Sequence, residues 1–158
     1  MSALPQCRSD AIGTGMGYRG TFISVAEDCR ASTGETPPAR GGKPTVAGLQ
    51  HTMLTTRPGH YTQEEVLLAS SPVFRSREDV DALEDLPREE LQRMFAEYFV
   101  QPRACLRASP LSKTYGWGLH YDDQGRITAH PVDSDEYARL SQDASLTQLR
   151  AMRSRRAD

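Results

Sequence analysis

His120, Asp122 and His130 fall within one short stretch and combine two imidazoles with a carboxylate, side chains that bind metals and move protons. Trp117 to Pro131 reads as two strand-like runs around Asp122-Asp123-Gln124-Gly125. A three-residue loop from Asp123 to Gly125, with Gly125 left-handed in a bulge, pairs Tyr121 with Ile127 and Leu119 with Ala129. One face then carries Trp117, Leu119, Tyr121, Ile127, Ala129 and Pro131. The other carries Gly118, His120, Asp122, Arg126, Thr128 and His130. A four-residue loop mixes the two sets. A one-residue slip turns a strand over, so the hydrophobic pattern selects the first register. His120 and His130 become diagonal neighbours, roughly 7–8 Å apart at the backbone. With Asp122 they could hold a divalent metal or share acid–base work. The plainer reading is that both histidines decorate a solvated sheet face. On that reading no metal and no cofactor is expected, and His120, Asp122 and His130 stand as the metal-binding alternative.

Cys105 is the best nucleophile candidate, because histidines such as His120 could serve as its base. The competing reading makes Cys105 a small buried apolar residue beside Leu106. Cys29 follows Glu27-Asp28 and is the poorer candidate. Arg107, Lys113, Tyr115, Trp117 and His120 bring cationic and aromatic groups together in sequence, as a ligand-binding surface would. Ser109 and Lys113 are four apart, so an S-x-x-K arrangement is missed. There is no G-x-S-x-G elbow, no G-x-x-x-x-G-K-[ST] loop and no H-E-x-x-H. Gly15 to Gly20 spells G-x-G-x-x-G, but that fingerprint needs a strand before it and a helix after it. Here Thr21 to Ala26 reads as a strand, so the run is a glycine-rich lead-in.

Composition bounds what these residues can belong to. The chain has 158 residues, enough for one ordinary domain. Hydrophobic residues make up 37% and charged residues 25%, too balanced for wholesale disorder. A formal net charge of −2 gives no global field to recruit nucleic acid or membrane. No apolar run approaches the ~20 residues of a spanning helix. The three cysteines, Cys7, Cys29 and Cys105, lie far apart, which argues against a disulfide framework or a thiolate zinc site. With no apolar core of signal-peptide length at the N-terminus, a cytoplasmic protein with reduced thiols is expected.

The elements that must position the candidates follow. Thr21 to Ala26 predicts a strand. Val46, Leu49, Met53 and Leu54 recur at helical spacing, with Pro44 suited to the first turn. Thr62 and Glu65 form a capping box, though Val66 to Ala69 alone fits helix or strand. Leu91, Met94, Phe95, Tyr98 and Phe99 make one apolar helical stripe, read as core packing. Ala104 to Arg107 fits a short strand. Ser109 and Pro110 open a short helix that Gly116 ends. Asp133 and Glu136 form a D-x-x-E box before a further helix. Leu146, Leu149 and Met152 predict a last helix, with Arg150, Arg153, Arg155 and Arg156 favouring its dipole rather than binding nucleic acid.

Several blocks also resemble a family of small uncharacterised microbial proteins, a domain of unknown function. They are Phe22-Ile23-x-Val25-Ala26-Glu27-Asp28-Cys29, Gly34-Glu35-x-Pro37-Pro38, Cys105-Leu106-Arg107-x-Ser109-Pro110-Leu111 and Leu149-x-Ala151-Met152-Arg153-Ser154. The most specific is Tyr115-Gly116-Trp117-Gly118-x-His120. The resemblance spans most of residues 21 to 156, implies a single compact domain and carries no activity.

The fold expected is α+β: a small antiparallel sheet that includes the 117–131 hairpin, covered by helices on one face. Residues 1–20 are read as a flexible arm, 21–154 as the globular domain and 155–158 as a basic tail. The function expected is non-catalytic binding of a small molecule or protein partner, with homodimerisation left open. The alternative is a small enzyme or metal-binding protein using His120 and His130, with or without Cys105.

Overall fold

The hairpin forms in the expected register. In the computed structural model, which describes residues 18–42, 44–77 and 82–154, strand β2 (Trp117–Tyr121) pairs antiparallel with β3 (Ile127–Pro131). Trp117 faces Pro131, Leu119 faces Ala129 and Tyr121 faces Ile127. Gly125 has φ +79°, and its N–H donates to the Asp122 carbonyl at 3.0 Å. Strand β1 (Thr21–Ser24) lies antiparallel on the other side of β2, Phe22 opposite His120.

The fourth strand corrects the sequence reading. Thr147–Arg150, expected inside a last helix, is strand β4 and runs parallel to β1, Ile23 opposite Leu149. The three-residue spacing of Leu146, Leu149 and Met152 suits a helix, but β1 offers an open edge. Thr147 N–H donates to Gly20 and Ala151 N–H to Ser24, extending the ladder at both ends. The sheet order is β3-β2-β1-β4, mixed but mostly antiparallel. With no helix here, Arg150 and Arg153 complement no helix dipole. Arg153 instead pairs with Glu27 at 2.5 Å.

Six helices complete an α+β fold among the described residues. Helix α1 (Val46–Thr56) is capped by the Thr45 hydroxyl, so Pro44 sits just outside it. The capping box of Thr62 and Glu65 opens α2 (Gln63–Ala69), which makes 66–69 helical. Ser71 and Pro72 break α2 and at once start α3 (Pro72–Arg75). The Met94 and Phe95 stripe lies on α4 (Arg88–Tyr98) and packs a cluster with Leu68, Phe74 and Leu83. Ala104 to Arg107 forms no strand: Leu106–Ala108 is a 3₁₀ turn, with Leu106 fully buried. Ser109 caps α5 (Pro110–Lys113) as expected. Helix α6 (Asp135–Ser141) is capped by Ser134, while Asp133 accepts from Gly34 N–H at 3.3 Å.

The main core lies on the Leu119–Tyr121–Ile127 face, under Leu54, Val66, Leu106 and Leu111. The opposite face is covered as well, contrary to the one-sided expectation. There α6 lays Tyr137 edge-on against the fully buried Phe22, centroids 5.1 Å apart. A Cβ on Gly118 would stand 2.6 Å from both rings, so only glycine admits this helix. The described residues 18–20, expected within a flexible arm, are held by the domain. Tyr18 is part of the core, and Gly20 N–H donates to Asp122. Residues 1–17, with Cys7 and the first half of the G-x-G-x-x-G run, and residues 155–158 lie outside the described residues.

Candidate functional site

The 103–110 segment runs across the helices above the main core and gathers two of the sequence candidates, Cys105 and Arg107. Leu106 holds it down: its side chain is buried and its N–H donates to Gln63 Oε1 at 3.2 Å. The same oxygen accepts the Tyr121 hydroxyl at 2.7 Å. Tyr18 packs edge-on against Tyr121, centroids 5.4 Å apart, and shares a hydrogen bond with Cys105 Sγ at 3.3 Å. Arg107 stands close enough to Tyr18 to pull its hydroxyl's pKa down, and it donates through Nε to the Arg150 carbonyl at 2.8 Å.

Electrostatics follow from burial. The Cys105 thiol is pushed up by burial, against the weaker pull of backbone N–H groups and Arg107. Burial also raises Tyr18, with Arg107 opposing. Glu64 is pushed up to about 7 by burial, which hydrogen bonding from Thr62 and the Arg19 charge only partly offset. Thus Cys105 meets a phenol where a nucleophile would need a base. We expect iodoacetamide at pH 8 to label Cys105 more slowly than a cysteine in an unfolded peptide, read by mass spectrometry; equal or faster labelling would contradict the buried-thiol picture.

On its other side, Cys105 lines a cavity of about 280 Å³ with Val46, Leu67, Leu106 and Arg103. The floor is a buried polar chain. Ser109 Oγ donates to Gln50 Oε1 at 2.6 Å, Gln50 Nε2 donates to Ser70 Oγ at 3.1 Å, and Ser70 Oγ donates to the Val66 carbonyl at 2.7 Å. At the rim the Arg103 guanidinium lies 4.0 Å over the Tyr98 ring while its Nε donates to the Tyr98 carbonyl. A second cavity of about 580 Å³ adjoins it, sharing Val46 and Pro110 and lined by Arg40, Arg75 and Tyr115.

The remaining candidates are spread apart. Trp117 and His120 point to opposite sheet faces, so the surface expected from Arg107, Lys113, Tyr115, Trp117 and His120 is divided by the sheet itself. Trp117 is 9% exposed and donates its indole N–H to the Glu35 carbonyl, while Glu35 N–H donates to Tyr115. The Tyr-Gly-Trp-Gly block therefore clasps the 31–38 loop. Lys113 ends α5 and lines neither cavity. His120 and His130 share a face, and His130 is held below its ordinary range by burial and by His120. Asp122 is used by the turn, accepting from Gln124 and Arg126 N–H at 2.8 and 2.9 Å. Among the described residues no group of three His, Cys, Asp or Glu side chains could hold a metal ion.

The sequence reading missed Tyr18, Gln50, Gln63, Glu64 and Tyr121 as site residues. Gln63 and Glu64 sit inside the capping box, a pattern that explains them without function. Tyr18 was hidden among glycines.

A family model described as a family of unknown function, DUF6157, matches residues 14–157. No curated protein and no solved structure matches the chain.

Proposed function

We propose a non-catalytic, ligand-binding role for this chain, which belongs to the family of unknown function DUF6157. The ligand is a small, largely apolar molecule with one hydrogen-bonding end, held in the cavity beside Cys105. The observation that carries this reading is the cavity floor. Gln50, Ser70 and Ser109 are each at most 5% exposed and hold one another in place. Apolar walls with a few fixed polar groups are what small-molecule sites offer. Arg103, which pairs with no carboxylate among the described residues, supplies charge at the rim. Cys105 contributes wall surface, since neither it nor Tyr18 can act as a base while protonated. The role needs no cofactor and no nucleic acid, suits a cytoplasmic protein, and is compatible with a monomer or a homodimer. No helix among the described residues is long and apolar enough to cross a membrane.

Val46 borders both cavities and is the first residue of α1, so Val46→Trp would plug the mouth with little disturbance to the core. Saturation-transfer NMR with a fragment library should find small apolar binders for the native chain that are lost in Val46→Trp. A library with no binders, or binders indifferent to the plug, would overturn the proposal.

A further inference from the structure

We infer that Gln63 and Glu64 form a second binding site, for a small carboxylate, which takes up a proton as it binds. The first observation is a pair of orphaned polar atoms. Gln63 is 0% exposed, and its Oε1 already accepts from Tyr121 and Leu106. Those two donors fix which way the amide points, so Nε2 presents N–H groups that have no protein partner. Glu64 is 6% exposed, and its Oε2 has no protein partner either. A buried polar atom left bare is costly, so two on adjacent residues call for something to satisfy them.

The surroundings say what that is. Tyr18, Cys105 and Glu64 all lie within electrostatic reach of the Tyr121 hydroxyl, which itself donates to the Gln63 carboxamide oxygen. Three elements bring charged or titratable groups toward Glu64. The segment before β1 brings Arg19, β2 brings Tyr121, and α2 itself brings Glu65. Arg107 adds a second cation beside Tyr18 and Cys105. Burial keeps Glu64 largely neutral below about pH 7. A neutral carboxyl and a carboxamide N–H are both donors, and two guanidinium groups stand near. A ligand that meets them must bring acceptors and negative charge. A carboxylate does so, and shares the Glu64 proton in a short charge-assisted O–H···O bond. Ionised Glu64 would repel the same ligand. A carboxamide ligand would invert the dependence, since its N–H suits ionised Glu64.

The test is a titration of the ¹⁵N-labelled full chain with sodium acetate, against sodium chloride at equal ionic strength, at pH 6 and pH 8. Acetate should shift the amide signals of Gln63, Glu64 and Leu106. Its dissociation constant should be about tenfold larger at pH 8, because the neutral fraction of Glu64 falls about tenfold over that range. Glu64→Gln keeps a donor without titrating and should bind acetate equally at both pH values. Three results would overturn the inference: shifts no different from chloride, equal native affinity at the two pH values, or acetamide binding more tightly than acetate. The site shares only Cys105 and Leu106 with the proposed cavity, and Gln63 and Glu64 line no part of that cavity, so either can fail without the other.

Discussion

Gly116→Ala should lower the melting temperature by roughly 10 °C, while Gly41→Ala lowers it by only about 3 °C. Both glycines have positive φ, +81° at Gly116 and +58° at Gly41. An alanine at either site therefore incurs the left-handed backbone penalty of about 1 kcal/mol. Only at Gly116 does the new Cβ collide, 2.3 Å from the Thr33 carbonyl oxygen and 3.0 Å from the Ala31 Cβ. At Gly41 nothing lies within 4 Å. The collision is with backbone, so relief means moving the 31–38 loop off the clasp made by Tyr115, Trp117 and Glu35. The combined cost should reach about 3 kcal/mol, at the severe end of single substitutions. Differential scanning calorimetry of the two variants separates strain from collision. Equal losses would mean that the clasp does not hold the loop.

Glu64→Gln should stabilise the protein by about 2 kcal/mol at pH 8 and leave it nearly unchanged at pH 5. The folded Glu64 titrates near 7, against an ordinary value of 4.5. The folded state therefore binds more protons than the unfolded chain between those values, and stability falls as pH rises through about 7. The shift sets a ceiling of roughly 3 kcal/mol, reduced to about 2 kcal/mol by the polar groups that screen the carboxylate. His51 and His130, both pushed down by burial, act in the other direction. Their contribution is present above their ordinary range and lost as pH falls. Subtracting the variant from the native chain at each pH removes them. Urea unfolding at pH 5, 6, 7 and 8 measures the difference, and a flat difference would show that Glu64 is not buried as described.

The two predictions mark two kinds of legibility. Gly116 stands out in the sequence because it belongs to the Tyr-Gly-Trp-Gly block, and its place after α5 already suggests a helix stop. Its collision partner, Thr33, is far away in the chain. Glu64 does not stand out at all. It sits within a T-x-x-E cap, in a residue class that is mostly exposed, and nothing local marks it as buried. Cys105 stands out in its segment as the one thiol, but Tyr18, which it meets, is 87 positions away. The histidine expected beside Cys105 lies on the far face of the sheet. His120 and His130 were correctly placed on one face, whereas the closure of that face by α6 depends on Phe22, Tyr137 and the missing side chain of Gly118.

By itself the sequence determined what neighbours within a few residues can settle. It determined the α+β class, the hairpin register through its period of two, and the caps at Thr62 and Ser109. Each rests on short-range sterics or on one side chain reaching a nearby amide. Three features come from long-range packing instead: Thr147–Arg150 pairs with β1 as a parallel strand, helices cover both faces of the sheet, and Gln63 and Glu64 are buried, Gln63 against Tyr121. These outcomes depend on surfaces brought together from distant parts of the chain, where burial outweighs local preference and decides which polar groups are left facing one another.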